Sequence, residues 1–192
     1  MQLIPLLNDI RQCKVCEPHL PCAPRPVVQA GFQARLLIIG QAPGLKVQQS
    51  GIPWDDASGK RLREWLNMDE ADFYDPNKVA IIPMGFCYPG KGKSGDLPPR
   101  KECAPKWHQP LLTELPNIQT TLLIGQYSQK HYLSGSEFLT KYPTLTARVR
   151  HTQAAPEGII CLPHPSPRNQ IWLKKHPWFN QDILPYLHQR LG

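Results

Sequence analysis

Acidic residues are scarce in this 192-residue chain: 15 Asp plus Glu stand against 22 Lys plus Arg, a formal net charge of +7. That imbalance admits a polyanionic partner such as a nucleic acid. No apolar run is long enough to span a bilayer. The opening Met1-Gln2-Leu3-Ile4-Pro5-Leu6-Leu7 has no basic leader, and Asn8, Asp9 and Arg11 end it at once, which excludes a secretory signal. A cytoplasmic protein without a membrane partner is the expectation. No internal repeat or low-complexity tract is present, which excludes a repeat array. Charged residues make up only 19% and apolar ones 41%, so the chain is too apolar to be disordered. Its length suits a single domain spanning residues 1–192.

Proline is what the chain has in excess. Its 13 glycines and 22 prolines make roughly 18% of the residues, against an average near 12%. This points to long ordered loops joining short elements rather than to a helix bundle. In a reducing compartment the six cysteines favour metal ligation or buried thiols over a disulfide framework.

Strand and helix signals alternate. Arg35–Gly40, Val79–Pro83, Thr120–Gly125 and Gly158–Leu162 are short apolar runs of the kind that form buried parallel strands. Gly59–Asn67, with Ser58 as N-cap, Ala104–Leu115 and Gln126–Leu133 read as helices. So does Ile171–Leu191, with breaks at Pro177 and Pro185. Residues 84–103 read as one long loop. The fold class is α/β: a single-domain α/β/α sandwich on a central, mainly parallel four-stranded sheet. Ligands of such sheets bind beyond the carboxyl ends of the strands.

Three loops after these strands carry unusual residues. Gly40-Gln41-Ala42-Pro43-Gly44 is a tight turn that presents backbone N–H groups and one polar side chain. Gly51-Ile52-Pro53-Trp54-Asp55-Asp56 sets an aromatic able to stack on a planar ligand beside two acids. His164-Pro165-Ser166-Pro167-Arg168-Asn169 is stiffened by its prolines. It projects a histidine at the strand mouth, with Ser166 and Arg168 placed to meet phosphates. Cys13 and Cys16 form a C-x2-C pair, and Cys87 and Cys103 are separated by fifteen residues. Such thiolates select zinc or iron–sulfur clusters, with scattered buried thiols as the alternative. Cys161, in a strand, reads as core, and Cys22 has no evident partner.

Taken together, these motifs resemble the uracil-DNA glycosylase superfamily over Cys13 to about Asn169. The cysteine spacing and the Gly51-x-Pro-Trp54 segment resemble its iron–sulfur branch, families 4 and 5. The His-Pro-Ser-Pro-Arg-Asn stretch is similar to the single-strand-selective monofunctional uracil glycosylases. The resemblance implies a monofunctional DNA glycosylase acting on uracil or a related base, as a monomer with the target base flipped out of DNA. It implies a [4Fe–4S] cluster on Cys13, Cys16, Cys87 and Cys103, zinc being the alternative metal. On that view the N-terminal segment 1–30 packs on the core through the metal site.

The implied roles follow residue by residue. Trp54 stacks on the base, backbone groups around Gly40, Gln41 and Ala42 hold its edge, and Asn169 assists. His164 donates to the leaving base, while Asp56, then Asp55, serves the sugar cation and the attacking water. Ser166, Arg168, Lys91, Lys93, Arg100 and Lys101 meet phosphates. Family 4 enzymes carry a glutamate where this chain has Gln41 and an asparagine where it has Pro83; family 5 lacks that asparagine and uses an aspartate near Asp55 or Asp56. The competing readings are a catalytically impaired DNA- or lesion-binding protein of the same fold and a covalent trap. The basic segment Lys91–Lys101 holds no histidine, which counts against the trap.

Overall fold

The structure is a computed structural model describing residues 2–192. In chain order its first elements are α1 (Leu3–Arg11), β1 (Leu36–Ile39), α2 (Leu45–Ser50), α3 (Ala57–Leu66), α4 (Glu70–Phe73) and β2 (Val79–Ile81). The short strands β3 (Lys91–Gly92) and β4 (Gly95–Asp96) follow, then α5 (Gln109–Thr113), β5 (Thr120–Ile124) and α6 (Gln126–Tyr132). The chain closes with α7 (Glu137–Lys141), α8 (Leu145–Arg150), β6 (Ile159–Leu162), α9 (Gln170–Lys175) and α10 (Leu184–Leu191).

Four strands form the central sheet in the order β2-β1-β5-β6, and every pairing is parallel. Leu37, Ile39, Ala80, Leu123 and Cys161 enter one apolar cluster; Leu36, Ile38, Val79, Leu122 and Ile160 enter the other. Neighbouring residues thus go to opposite faces, and both faces are covered. This is why the strands read as unbroken apolar runs. The α/β sandwich expected from the sequence is therefore the fold observed, with a sheet that is wholly parallel.

Several local expectations need correction. The apolar start of the chain is a helix: α1 buries Leu3, Leu7 and Ile10, at helical spacing, in the first cluster. Burial stabilises by roughly 1.5–3 kcal/mol per large side chain, so direct apolar packing of α1 contributes to anchoring the N-terminal segment. The cap of α3 is Asp56, not Ser58: Asp56 Oδ1 accepts from the Gly59 amide at 2.8 Å. Pro185 does not break the last helix. The π-helical turn Phe179–Ile183 runs straight into α10 just before it, and this loosened turn accommodates the missing N–H. Residues 84–103 contain the β3–β4 hairpin, with Lys91 opposite Asp96 and Gly92 opposite Gly95. Ala104–His108 is a π-helical turn leading into α5.

Candidate active site

Because the sheet is parallel, the loops after β1, β2 and β6 emerge at one edge. They enclose a crevice of about 480 Å³, within the range of small-ligand sites. Gly40, Gln41, Ala42, Trp54, Asp56, His164, Ser166, Arg168 and Asn169 all line it. Asp55 does not; it is exposed, and its charge acts on Tyr74.

Trp54 has φ of 57°, a left-handed conformation that costs a bulky residue about 1–3 kcal/mol and persists only when its surroundings impose it. Two glycines do so. A Cβ on Gly59 would lie 1.7 Å from the Trp54 carbonyl oxygen, and one on Gly40 would lie 2.9 Å from Cζ2 of the indole. The indole and the His164 ring have centroids 5.5 Å apart. The tryptophan is thus wedged between the first turn and the histidine, with part of its surface on the second apolar cluster.

His164 is the best-defined group in the crevice. Burial lowers its pKa below the ordinary histidine value, with the nearby Asp56 charge opposing, so the ring is neutral at neutral pH. The Ser166 amide donates to His164 Nδ1 at 3.2 Å, which puts the proton of the neutral ring on Nε2. The loop is braced from two sides. Asn169 Nδ2 donates to the His164 carbonyl at 2.7 Å, and Arg61, from α3, donates to the Ser166 carbonyl at 3.1 Å. Asn169 therefore uses its amide to hold the histidine loop. Arg61, which sequence reading overlooked, has no motif to mark it: its role arises from a contact more than a hundred residues away.

Of the first turn, the Gln41 carbonyl accepts from the Gly85 amide at 3.0 Å. The Gln41 side chain donates to the Leu97 carbonyl at 3.3 Å, tying the hairpin to the crevice. Arg168 reaches the same hairpin, donating to the Ser94 carbonyl at 3.4 Å. Ser94 and Asp96 line the crevice, and neither was foreseen. The readable signal was the turn Gly92-Lys93-Ser94-Gly95, a two-residue connection bracketed by glycines.

The model of the uracil DNA glycosylase superfamily matches residues 28–188. The chain belongs to this superfamily. The matched span holds the entire sheet and every crevice residue named above, while Cys13 and Cys16 precede it. Among the described residues of this superfamily member, no helix is long and apolar enough to cross a membrane.

A second, smaller site lies on the other side of the loop after β2. Cys13, Cys16, Cys87 and Cys103 line one cavity of about 10 Å³ with Phe86, Trp107 and the two prolines Pro24 and Pro26. Burial pushes the Cys87 thiol up to about 12 and the Cys103 thiol up to about 11, with the charges of the neighbouring cysteines adding to both. No group of three or more His, Cys, Asp or Glu side chains among the described residues is drawn together tightly enough to hold a single metal ion. The donor set itself is all sulfur, which fits a soft metal or an iron–sulfur cluster. Cys22 is exposed and outside this cavity, and Cys161 is buried in the sheet as expected.

The predicted phosphate contacts divide. Lys91, Lys93 and Lys101 are exposed. Arg100 instead lines the cysteine cavity and pairs with Glu102 at 2.5 Å, so its charge is already matched. His108 lies between the two sites: its ring is 5.8 Å from that of Phe86 in the cysteine cavity, and its Nε2 donates to the Pro83 carbonyl of the crevice at 3.0 Å while Nδ1 meets the Tyr132 hydroxyl at 2.6 Å.

Proposed function

We propose that the chain is a monofunctional DNA glycosylase that hydrolyses the N-glycosidic bond of uracil or a related damaged base, working as a cytoplasmic monomer in base excision. The observation that carries this reading is His164: half-buried, neutral and with Nε2–H free to donate, beside Trp54 and Asp56 in the crevice of a superfamily fold. Breaking the bond leaves negative charge on the base and cationic character on the sugar. The target nucleotide must leave the stack to reach such a pocket. Trp54 then stacks on the base, and the Gln41 and Ala42 amides face its edge. His164 donates to the developing base anion, and Asp56 stabilises the sugar cation. Lys91, Lys93, Lys101 and Ser166 meet the phosphate backbone, with Arg168 holding the hairpin that carries two of those lysines.

The same reading assigns the chain to the iron–sulfur branch, with Cys13, Cys16, Cys87 and Cys103 holding a [4Fe–4S] cluster. A tetrahedral zinc site needs four thiolates about 2.3 Å from one ion. The wider cubane suits four cysteines that share a cavity without closing on one point. Bound there, the cluster stiffens the loop from Pro83 to Cys87 and takes no part in the hydrolysis.

The decisive assay incubates the protein with single- and double-stranded oligonucleotides carrying uracil, hypoxanthine, xanthine or hydroxymethyluracil, followed by alkali. Strand cleavage is the expected result. A gel shift without cleavage would favour a lesion-binding protein, the reading that the uncharged, hairpin-bound Gln41 supports, and an SDS-resistant adduct would favour a covalent trap.

A further inference from the structure

The hydrolysis needs a group to take a proton from the attacking water, and Asp56 is poorly placed to do so alone. Its Oδ1 is committed to capping α3. Across the turn from it stands a second carboxylate. A Cβ built on Gly44 would lie 3.6 Å from Asp96 Oδ2 and 4.0 Å from Asp56 Oδ2. The two oxygens therefore lie no more than about 8 Å apart, on opposite sides of the space beside Gly44. Both residues line the crevice that holds His164.

Asp96 differs from Asp56 in what already holds it. Neither of its oxygens accepts a hydrogen bond among the described residues, and Lys91, opposite it in the hairpin, forms no ion pair with it. Its backbone, by contrast, is fixed from both sides. Gln41 binds the carbonyl of the next residue, Leu97, and Arg168 binds that of Ser94. Gly95, with φ of 147°, leaves space for the Arg168 guanidinium, 2.8 Å from where a Cβ would stand.

We propose that Asp96 is the general base of the reaction, and that Gln41 and Arg168 are its positioning residues. This rests on the glycosylase reading above. Water held between Asp96 and Asp56 attacks C1′ of the flipped nucleotide. Its oxygen forms the new C–O bond and its proton passes to the Asp96 carboxylate. The C1′–N bond breaks with its electron pair going to the base, whose anion is held by His164 Nε2–H. Asp56 remains ionised beside the sugar cation. The uncharged side chain at Gln41 thereby gains a purpose: it holds the strand that delivers the carboxylate.

The test is single-turnover excision by Asp96→Asn and Asp96→Ala on whichever of the four base-bearing oligonucleotides the wild type cleaves best. Binding is measured in parallel on the same oligonucleotide with a non-hydrolysable 2′-fluoro nucleoside. General-base loss predicts a fall of at least about 100-fold in rate for both variants, with affinity within twofold of wild type. Added formate, a small diffusible carboxylate, should restore part of the Asp96→Ala rate and none of an Asp56→Ala rate, an outcome that a purely structural role for Asp96 would not produce. Gln41→Ala should lose about tenfold and gain nothing from formate. If Asp96→Asn excises at the wild-type rate while His164→Ala does not, the assignment of Asp96 is overturned and the glycosylase reading stands. A wild type that cleaves none of the four substrates overturns both.

Discussion

The crevice and the cysteine cavity lie on either side of one short loop and differ in almost every physical respect. The crevice is open and polar; it holds a strained tryptophan, a neutral histidine and carboxylates with unused lone pairs. The cysteine cavity is nearly closed and apolar, and burial keeps its Cys87 and Cys103 thiols protonated. Unused polar capacity and backbone strain mark a place where something is to be bound and changed. Dry thiols held in the neutral form mark a place where only a bound cation makes the charged form favourable. On the function proposed above, the first region carries the chemistry and the second the architecture.

Cysteine replacement tests the contrast most severely. Cys87→Ala should remove the iron and the visible colour of anaerobically prepared protein. It should also lower stability by several kcal/mol, on the order of 10 °C in Tm, because metal binding is coupled to folding. Colourless wild-type protein containing one zinc per chain, or no metal, would break the architectural half of the comparison. The crevice should respond in the opposite way. His164→Ala is expected to slow excision by about 10²–10³-fold, measured in single turnover, while Tm stays within about 2 °C.

The histidine between the two regions gives an effect of intermediate size. Burial lowers His108 to about 4 in the folded chain, against an ordinary value of 6.5. The unfolded chain therefore binds a proton that the folded chain refuses between those values. Stability is intact above pH 6.5 and falls as pH drops toward 4, by about 3 kcal/mol when complete. Denaturant unfolding of His108→Gln across that window should show a shallower acid loss than wild type. His164, lowered in the same direction, adds to the wild-type loss.

Asp56 belongs to both fold and site, and two substitutions separate its roles. Asp56→Asn keeps an N-cap and should change stability by only a few tenths of a kcal/mol, whereas Asp56→Ala should cost about 1 kcal/mol by thermal melt. Both should slow excision alike, since both remove the charge. The smallest effect is expected at the surface: converting Lys91, Lys93 and Lys101 to alanine should reduce the salt slope of duplex binding by up to about 3. An unchanged slope would place the DNA face elsewhere.

Much of this was legible along the chain. The four strands announce themselves because a sheet covered on both faces demands unbroken apolar runs. Gly40–Gly44, Trp54 and His164–Asn169 stand out because a parallel sheet delivers every strand-end loop to one edge, so unusual loop residues after different strands are bound to meet. Asp56 shows where such reading stops. The loop motif marks it as a site residue, and the fold commits one of its oxygens, Oδ1, to capping α3.

The tertiary structure alone decided the rest. It left Asp55 outside the crevice, set Arg100 against Glu102 beside the cysteine cavity, made Asn169 and Arg61 braces for the histidine loop, and brought Asp96 and Asp56 to the same side chain-free space at Gly44. Strand identity depends on the periodicity of neighbouring residues, which is written in the sequence. Whether a charged side chain is free, paired or facing another depends on contacts across tens of residues, such as Gln41 to Leu97 and Arg168 to Ser94. Those distances come into being only when the sheet has closed and its loops have converged.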